Sequence, residues 1–176
     1  TIIINIPDSI KGVRQFFSNG CHLINILEYL IGDFEIINSL IREDSSHNDM
    51  ESITSICSNS KWNIIINAHS LLPANFSITI NSGKELIELK PIEKLSFFKG
   101  MQVQEPTSQS PIRKYNPVLE KFIFEDNQLK PGFEKMYYCF KKFIKYDKQN
   151  NLCDLFEAKK TIEKCHKLIK NFSYDI

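Results

Sequence analysis

The sequence predicts an α+β domain in which helices pack on one face of an open, mainly antiparallel β-sheet. Three observations predict it: short β-branched segments separated by turn residues in the middle of the chain, an amphipathic helix before them, and two more helices after them. With 176 residues, 42% of them hydrophobic, the chain suits a single domain spanning 1–176 that buries one core.

The first elements are a strand, a loop and a helix. The β-branched run from Ile2 to Ile6 predicts a strand, and a loop then runs from Asp8 to Asn19. Apolar residues recur at helical spacing from Leu23 to Ile31, and Gly32 is placed to end this helix in a left-handed conformation.

The polar segment just before this helix is a candidate binding site. Ser18, Asn19 and the backbone around Gly20 are expected in a turn at the positive end of the helix dipole, which favours an anionic or hydroxyl-rich ligand. His22 would face the same place.

The middle of the chain indicates antiparallel hairpins. The isoleucine-rich segment from Phe34 to Arg42 is predicted to be extended, and Glu43 to Asp49 to be a turn. Five further extended segments follow: ESITSIC, KWNIIINAHS, NFSITI, KELIELKP and KLSFF. Their alternation of apolar and polar residues predicts one buried and one wetter sheet face. Gln102 to Pro111 has the composition of a surface loop.

The final third predicts two amphipathic helices that cover one face of the sheet. Apolar residues from Phe133 to Ile144 recur at spacings of three and four. Asp154, with Glu157 three residues later, predicts a capping box at the start of the last helix. The apolar face of that helix is expected to carry a further set of residues: Leu155, Ala158, Ile162, Cys165 and Leu168.

Composition and missing motifs narrow the functional classes. The formal charge of +1 provides no field that would attract nucleic acid or an anionic membrane. The five cysteines are odd in number and scattered, so neither a disulfide framework nor a zinc site is indicated, and a reducing cytoplasm is the simplest location. The sequence contains no apolar run long enough to span a bilayer and no dinucleotide, P-loop, serine-hydrolase or zinc-protease motif.

His22 is the strongest candidate for a catalytic residue, although a histidine at a helix start also suits a capping or hydrogen-bonding role. Cys21 beside it suggests a thiolate nucleophile, but no orienting acid lies near it in sequence. The candidates for holding substrate hydroxyls or phosphate are Lys11, Arg14, Ser18, Asn19 and Tyr115. Lys11 and Arg14 also suit plain surface charges, and Tyr115 an amphipathic position at the core edge.

Two stretches carry a family resemblance that extends over nearly the whole chain. SNGCHLINILEYLIGD resembles the D-x-G-x-H-x-x-D-x-x-x-x-L-x-G segment in the C-terminal substrate domain of the Gfo/Idh/MocA oxidoreductases. KPGFEKMYYCFKKF followed by DLFEAKKTIEKCHKLI resembles the closing helix pair of that domain. Gly20 and His22 match the family's Gly and His, whereas Ser18 and Asn25 stand in place of its two carboxylates.

The resemblance implies one half of an enzyme. His22 would exchange a proton with a substrate hydroxyl, and NAD or NADP would be bound mainly by an N-terminal Rossmann domain that is absent from this chain. The substrate would be a sugar or nucleotide sugar, as in surface-polysaccharide synthesis, and the open sheet face would form a homo-oligomer contact. This chain alone would then be inactive. A non-catalytic binding or assembly module that retains the fold without cofactor binding is the alternative, and an unrelated α+β interaction domain is a third.

Overall fold

The computed structural model describes residues 1–8, 12–46, 49–124, 132–146 and 152–170. Its strands are β1 (Ile2–Asp8), β2 (Glu35–Asp44), β3 (Asp49–Ser58), β4 (Asn63–Ser70), β5 (Ser77–Ser82), β6 (Glu85–Leu89), β7 (Lys94–Gln104) and β8 (Lys114–Phe124). Its helices are α1 (Val13–Gln15), a π-helical segment (Phe16–Gly20), α2 (Cys21–Ile31), α3 (Phe133–Tyr146) and α4 (Leu155–Leu168). The predicted α+β fold class is confirmed.

The eight strands form one open sheet in the order β2-β3-β4-β1-β5-β6-β7-β8. β1 lies at its centre, parallel to β4 and antiparallel to β5, and the other pairings of the described strands are antiparallel. The β-branched runs of β1 and β4 suit this position because a central strand is covered on one face and flanked on both edges.

The core lies between the sheet and α2. Side chains of β1 and β4 alternate, so that every second isoleucine points to the helices: Ile2, Ile4, Ile6, Ile64 and Ile66 are at most 2% exposed. Leu23, Ile24 and Leu27 of α2 pack against these isoleucines, and they too are at most 2% exposed. Each such side chain contributes about 1.5–3 kcal/mol on burial, so this layer holds α2 in place.

The two late helices behave differently. α4 begins with the predicted capping box, in which Glu157 N donates to Asp154 Oδ1 at 2.7 Å, and it packs against α2. Its buried face is nevertheless shifted from the predicted one: Leu155 is 90% exposed, whereas Thr161 and Lys164 are buried because they bind polar groups of α2. α3 contributes no buried residue, so the expectation that both late helices cover the sheet holds only for α4.

The first helical segment begins earlier than predicted. The sequence predicts a loop from Asp8 to Asn19, but the chain is helical from Val13 and passes through the π-helical segment into α2. Gly32 does end α2 with a positive φ of 78°, and its N–H donates to Glu28 O at 2.8 Å. The loop expected over 102–111 is also shorter, because β7 continues to Gln104 by pairing with β8.

The second sheet face, which we call the open face, carries side chains opposite to the core. A polar row crosses it, in which Asn67 Nδ2 donates to Asn5 Oδ1 at 3.3 Å and Asn5 Nδ2 donates to Ser77 Oγ at 3.2 Å. Ile56, Ile65 and Ile3 form an apolar row beside it. Among the described residues, no helix is both long and apolar enough to cross a membrane.

Candidate functional site

The N-terminus of the first helix is already capped by a carboxylate of this chain. Asp49 Oδ1 accepts hydrogen bonds from Val13 N at 3.1 Å and from Met50 N at 2.7 Å, while Gly12 N donates to Ser70 Oγ at 3.4 Å. Gly12 has a φ of 99°, and a Cβ there would lie 1.9 Å from Asp49 Oδ2. The positive end of the dipole therefore lies at Gly12, and a negative group of the protein occupies it.

The anion site predicted around Gly20 is therefore wrong, because the positive end of the helix dipole does not lie there. Gly20 has helical angles, φ −61° and ψ −36°, so the backbone around it is inside a helix rather than at its free end. Glycine is needed there for a different reason, because a Cβ on Gly20 would lie 2.9 Å from Cδ2 of the buried Phe16 ring.

The π-helical segment lines up three of the predicted site residues. A π-helix has i→i+5 hydrogen bonds, and such segments occur frequently at functional sites. Arg14, Ser18 and His22 follow one another at intervals of four residues across it, and all three are exposed. Residues at that interval lie on one side of a helix, so the structure places a cation, a hydroxyl and an imidazole along one solvent-facing stripe.

The neighbouring residues are less accessible. Asn19 is half-buried, as is Cys21, whose Sγ donates to Ser18 O at 3.4 Å. Burial raises the pKa of the Cys21 thiol, although backbone hydrogen bonds oppose this. A raised pKa disfavours the thiolate, so the structure weighs against Cys21 as a nucleophile.

Asn25, which stands in place of the family's second carboxylate, is used to join two helices. Its Nδ2 donates to Thr161 Oγ1 of α4 at 3.2 Å, and Thr161 Oγ1 donates in turn to Glu28 Oε2 at 3.1 Å. Thr161 is 4% exposed, so this chain of bonds lies inside the α2–α4 contact. Sequence reasoning missed Thr161, because it is 136 residues from Asn25.

A charged cluster lies at the C-terminal end of α2. Lys164 of α4 is 6% exposed, and its Nζ lies 3.0 Å from Glu28 Oε1, contacts Asp33 Oδ1 and donates to Phe34 O at 3.1 Å. The hydrogen bond from Lys164 is the main reason why the pKa of Asp33 is lowered. The signal in the sequence was a lysine four residues before Leu168 on the buried side of an amphipathic helix.

A cleft of about 560 Å³ adjoins this cluster, between α4 and the edge strand β2. Its lining contains both amines and carboxylates: Lys160, Lys164, Lys167, Lys170, Asp33, Glu35 and Glu163. The charges nearly balance, so the lining favours neither an anion nor a cation. The cleft belongs to the C-terminal end of α2 and does not include His22.

The other predicted binding residues are not brought to His22. Tyr115 lies on β8, is 59% exposed and points to the open face, whereas His22 lies on the helical side of the sheet. Lys11 lies outside the described residues, as does His47. Within the described ranges, no group of three or more His, Cys, Asp or Glu side chains is arranged to hold a metal ion.

Comparison with known proteins finds the same fold in solved structures. The chain is similar to a dehydrogenase (MviM) from Clostridium difficile, with 15% identity and a TM-score of 0.72 over 97% of this chain and 54% of that one. It is similar to the UDP-N-acetylglucosamine 3-dehydrogenase GnnA from Acidithiobacillus ferrooxidans, with 8% identity and a TM-score of 0.65 over 95% and 51%. A third similar structure is the super-repressor mutant of Gal80p from Saccharomyces cerevisiae, with 13% identity and a TM-score of 0.62 over 97% and 55%.

These structures include oxidoreductases of the Gfo/Idh/MocA type, so the resemblance predicted from the sequence is confirmed at the level of the fold. The chain spans about half the length of the proteins it matches. No protein-family model matches the chain, and no curated protein sequence does.

Proposed function

We propose that this chain is the substrate-binding and oligomerisation domain of an NAD(P)-dependent oxidoreductase that acts on a sugar or nucleotide sugar. The observation that carries the proposal is the exposed stripe of Arg14, Ser18 and His22, which runs from α1 through the π-helical segment into α2. Fold similarity to dehydrogenases, among them one described as acting on a UDP-sugar, supports this class of reaction.

His22 is the residue to which we assign proton transfer. Oxidation of an alcohol requires the hydroxyl proton to leave, and an exposed imidazole at the start of α2 can accept it. Ser18, one helical turn before it, can orient the same hydroxyl by donating or accepting a hydrogen bond. Arg14 supplies a positive charge to a phosphate of a nucleotide sugar, and Asn19 a second polar group at the edge of the stripe.

The dinucleotide cofactor does not fit the N-terminus of the first helix. A diphosphate is bound by free backbone N–H groups at a helix start, and the one at Gly12 and Val13 is already paired with Asp49 and Ser70. We therefore place NAD or NADP on an N-terminal domain outside this sequence, and we assign the protein to the cytoplasm. The open sheet face is the surface to which we assign homo-oligomer formation.

A non-catalytic binding or assembly module is the second candidate. Two observations favour it: Asn25 is committed to the α2–α4 contact instead of the solvent-facing stripe, and one similar structure is that of a repressor protein. In that case the stripe would hold a ligand without transforming it.

The deciding experiment is a dehydrogenase assay on the full-length protein with NAD⁺ or NADP⁺ and a set of UDP-sugars. His22→Ala is expected to lower kcat by about 100-fold or more, because general acid–base catalysis contributes about 10²–10⁴-fold. His69→Ala is the matched control, since His69 is also exposed but lies on β4. Turnover that is unchanged in His22→Ala would contradict the assignment of His22, and a full-length protein that neither binds a dinucleotide nor turns over any sugar would favour the module.

A further inference from the structure

The two edges of the sheet differ in how they are protected from pairing with a further strand. β8 forms one edge and carries a proline and charged residues, the features that keep an edge strand from pairing: Lys114, Pro117, Glu120 and Lys121. β2 forms the other edge, and its segment 36–41, IINSLI, contains neither proline nor a charged residue. Within the described part of the chain, no strand pairs with the outer side of β2.

The middle of β2 is regular enough to accept another strand. Its register with β3 shifts between Ile36 and Asn38 and again between Arg42 and Glu43. Between these two irregularities, residues 38–42 pair with β3 in unbroken antiparallel register. Five residues are about the length of an average β-strand. We call residues 38–42 the edge segment, and it offers backbone donors and acceptors on its outer side.

The two sides of the edge segment have different surroundings. Ser39 lies on the core face, because its Oγ is 2.8 Å from Oγ of the buried Ser55, and it lines the cleft between α4 and β2. Leu40 pairs with Thr54, which pairs with Asn67 of the open face, and Leu40 is 65% exposed there. A strand added beside β2 therefore directs its side chains alternately into the cleft and toward an apolar surface.

The charges of the cleft nearly balance in total, but they are unevenly distributed. At its inner end the buried lysine and its neighbours pair with one another, and Glu163 lies 3.7 Å from Lys159 Nζ. Lys167 and Lys170 are exposed and form no ion pair with any residue that the structure describes. Glu35 is also unpaired among those residues, but it precedes the edge segment. The charge still available in the cleft is therefore mainly positive.

We propose that the edge of β2 binds an extended acidic segment of another protein, which adds a strand to the sheet and places its carboxylates near Lys167 and Lys170. Backbone hydrogen bonds to the edge segment supply affinity, and the alternating side chains supply specificity. Acidic residues at every second position face the lysines, and the apolar residues between them pack beside Leu40. The cleft, at about 560 Å³, has the volume of a typical binding site. The contact does not use His22, so it is independent of the proposed function.

The probe for this proposal is a capped synthetic peptide of seven residues in which glutamate and valine alternate. A peptide with lysine in place of glutamate is its control. Titration calorimetry measures the binding of each to the full-length protein, and hydrogen exchange with mass spectrometry locates the site. The acidic peptide is expected to bind, more weakly as the salt concentration rises, and to slow amide exchange in the edge segment. The lysine peptide is expected to bind at least about tenfold more weakly, because it meets like charges.

Charge reversal tests the assignment of the two lysines. Lys167→Glu and Lys170→Glu are each expected to raise the Kd of the acidic peptide about fivefold or more, because each replaces an attraction by a repulsion. Both side chains are exposed, so the variants are expected to fold. Lys141→Glu is the matched control: it reverses the same charge at an exposed position of α3, outside the cleft, and is expected to leave the Kd unchanged.

Four results would overturn the proposal. The first is no binding of the acidic peptide at millimolar concentration, and the second is the same Kd in Lys167→Glu, Lys170→Glu and Lys141→Glu. The third is binding that leaves amide exchange in the edge segment unchanged. The fourth is slow exchange there without peptide that increases with protein concentration, which would mean that a second copy of the chain occupies the edge.

Discussion

Asn25 on α2 and Thr161 on α4 are joined by a hydrogen bond of 3.2 Å from the amide Nδ2 to the hydroxyl Oγ1. The Thr161 hydroxyl has a single proton, which it donates to Glu28 Oε2 at 3.1 Å, so its lone pair must accept from Asn25. The direction of both bonds is therefore fixed. An amide suits this position, and a carboxylate, which only accepts when ionised, does not.

Asn25→Asp, which introduces a carboxylate at the position where the resembled segment has one, is expected to destabilise the protein. The new carboxylate would compete with Glu28 for the one hydroxyl proton and would lie close to its negative charge, which together cost about 1–3 kcal/mol. Urea unfolding at neutral pH measures the loss. Because the repulsion raises the pKa of the introduced carboxyl group above its unfolded value, the destabilisation is expected to shrink as the pH falls through that pKa.

The control for this prediction is Asn63→Asp at the start of β4, where the side chain of Asn63 is exposed. A smaller effect is expected there because solvent reaches the carboxylate. Equal losses in both variants, or a gain of stability in Asn25→Asp, would mean that Thr161 does not bridge the helices as described.

We expect substitution of Lys164 to cost more stability than substitution of an exposed lysine, because Lys164 pairs with two carboxylates, those of Glu28 and Asp33, and is itself buried. It is 6% exposed and lies 3.0 Å from Glu28 Oε1, whose side chain is 10% exposed. Lys164→Met keeps the side-chain volume but leaves the nearly buried Glu28 paired with Lys160, a more exposed lysine whose Nζ lies 3.4 Å from Oε1. Complete loss of the partner in a buried pair costs about 3–5 kcal/mol, so with Lys160 still in place we expect a loss near or below the lower end of this range, which urea unfolding measures.

The pH dependence of this loss has a definite sign. The hydrogen bond from Lys164 lowers the pKa of Asp33, so the stabilisation from that carboxylate is present at neutral pH and is lost as the pH falls through the depressed value. The difference in the free energy of unfolding between the unsubstituted protein and Lys164→Met should therefore become smaller in acid. Asp33 contributes the smaller part, since its side chain is 67% exposed. Lys159→Met, whose pair with Glu163 spans 3.7 Å between exposed side chains, is the control and should change stability by less than about 1 kcal/mol.

The strands could be predicted from sequence because the signal for each is local. Alternation and turn residues placed β2 to β6 within a few residues, and Asp154 with Glu157 placed the start of α4. The start of the first helix could not be predicted in this way. Gly, Ser and Asn near residue 20 are typical of turns, whereas the cap that starts the helix at Val13 comes from Asp49, 36 residues away.

The candidate site likewise contains some residues that local sequence predicts and others whose role depends on distant parts of the chain. His22 is found from a local motif, and Ser18, which departs from that motif, precedes it by four residues; both side chains are exposed. The role of Asn25 depends on a residue of α4 that no local pattern connects to it. The prediction for Tyr115 rests on its residue type alone, and Tyr115 lies on the other side of the sheet from His22.

Gly20 provides a test of whether this segment is a helix or a turn. In the structure its backbone is helical, and a Cβ would lie 2.9 Å from the buried ring of Phe16. Gly20→Ala is therefore expected to cost about 1–3 kcal/mol by overpacking. Phe16→Leu would cost stability by itself, but the smaller side chain makes room for the methyl group, so the double variant should lose less than the sum of the two single variants. Urea unfolding of all four proteins gives the coupling energy. Strictly additive losses would place Gly20 outside the reach of Phe16, as expected of a turn with a positive φ, where the penalty for Ala is independent of the neighbouring ring.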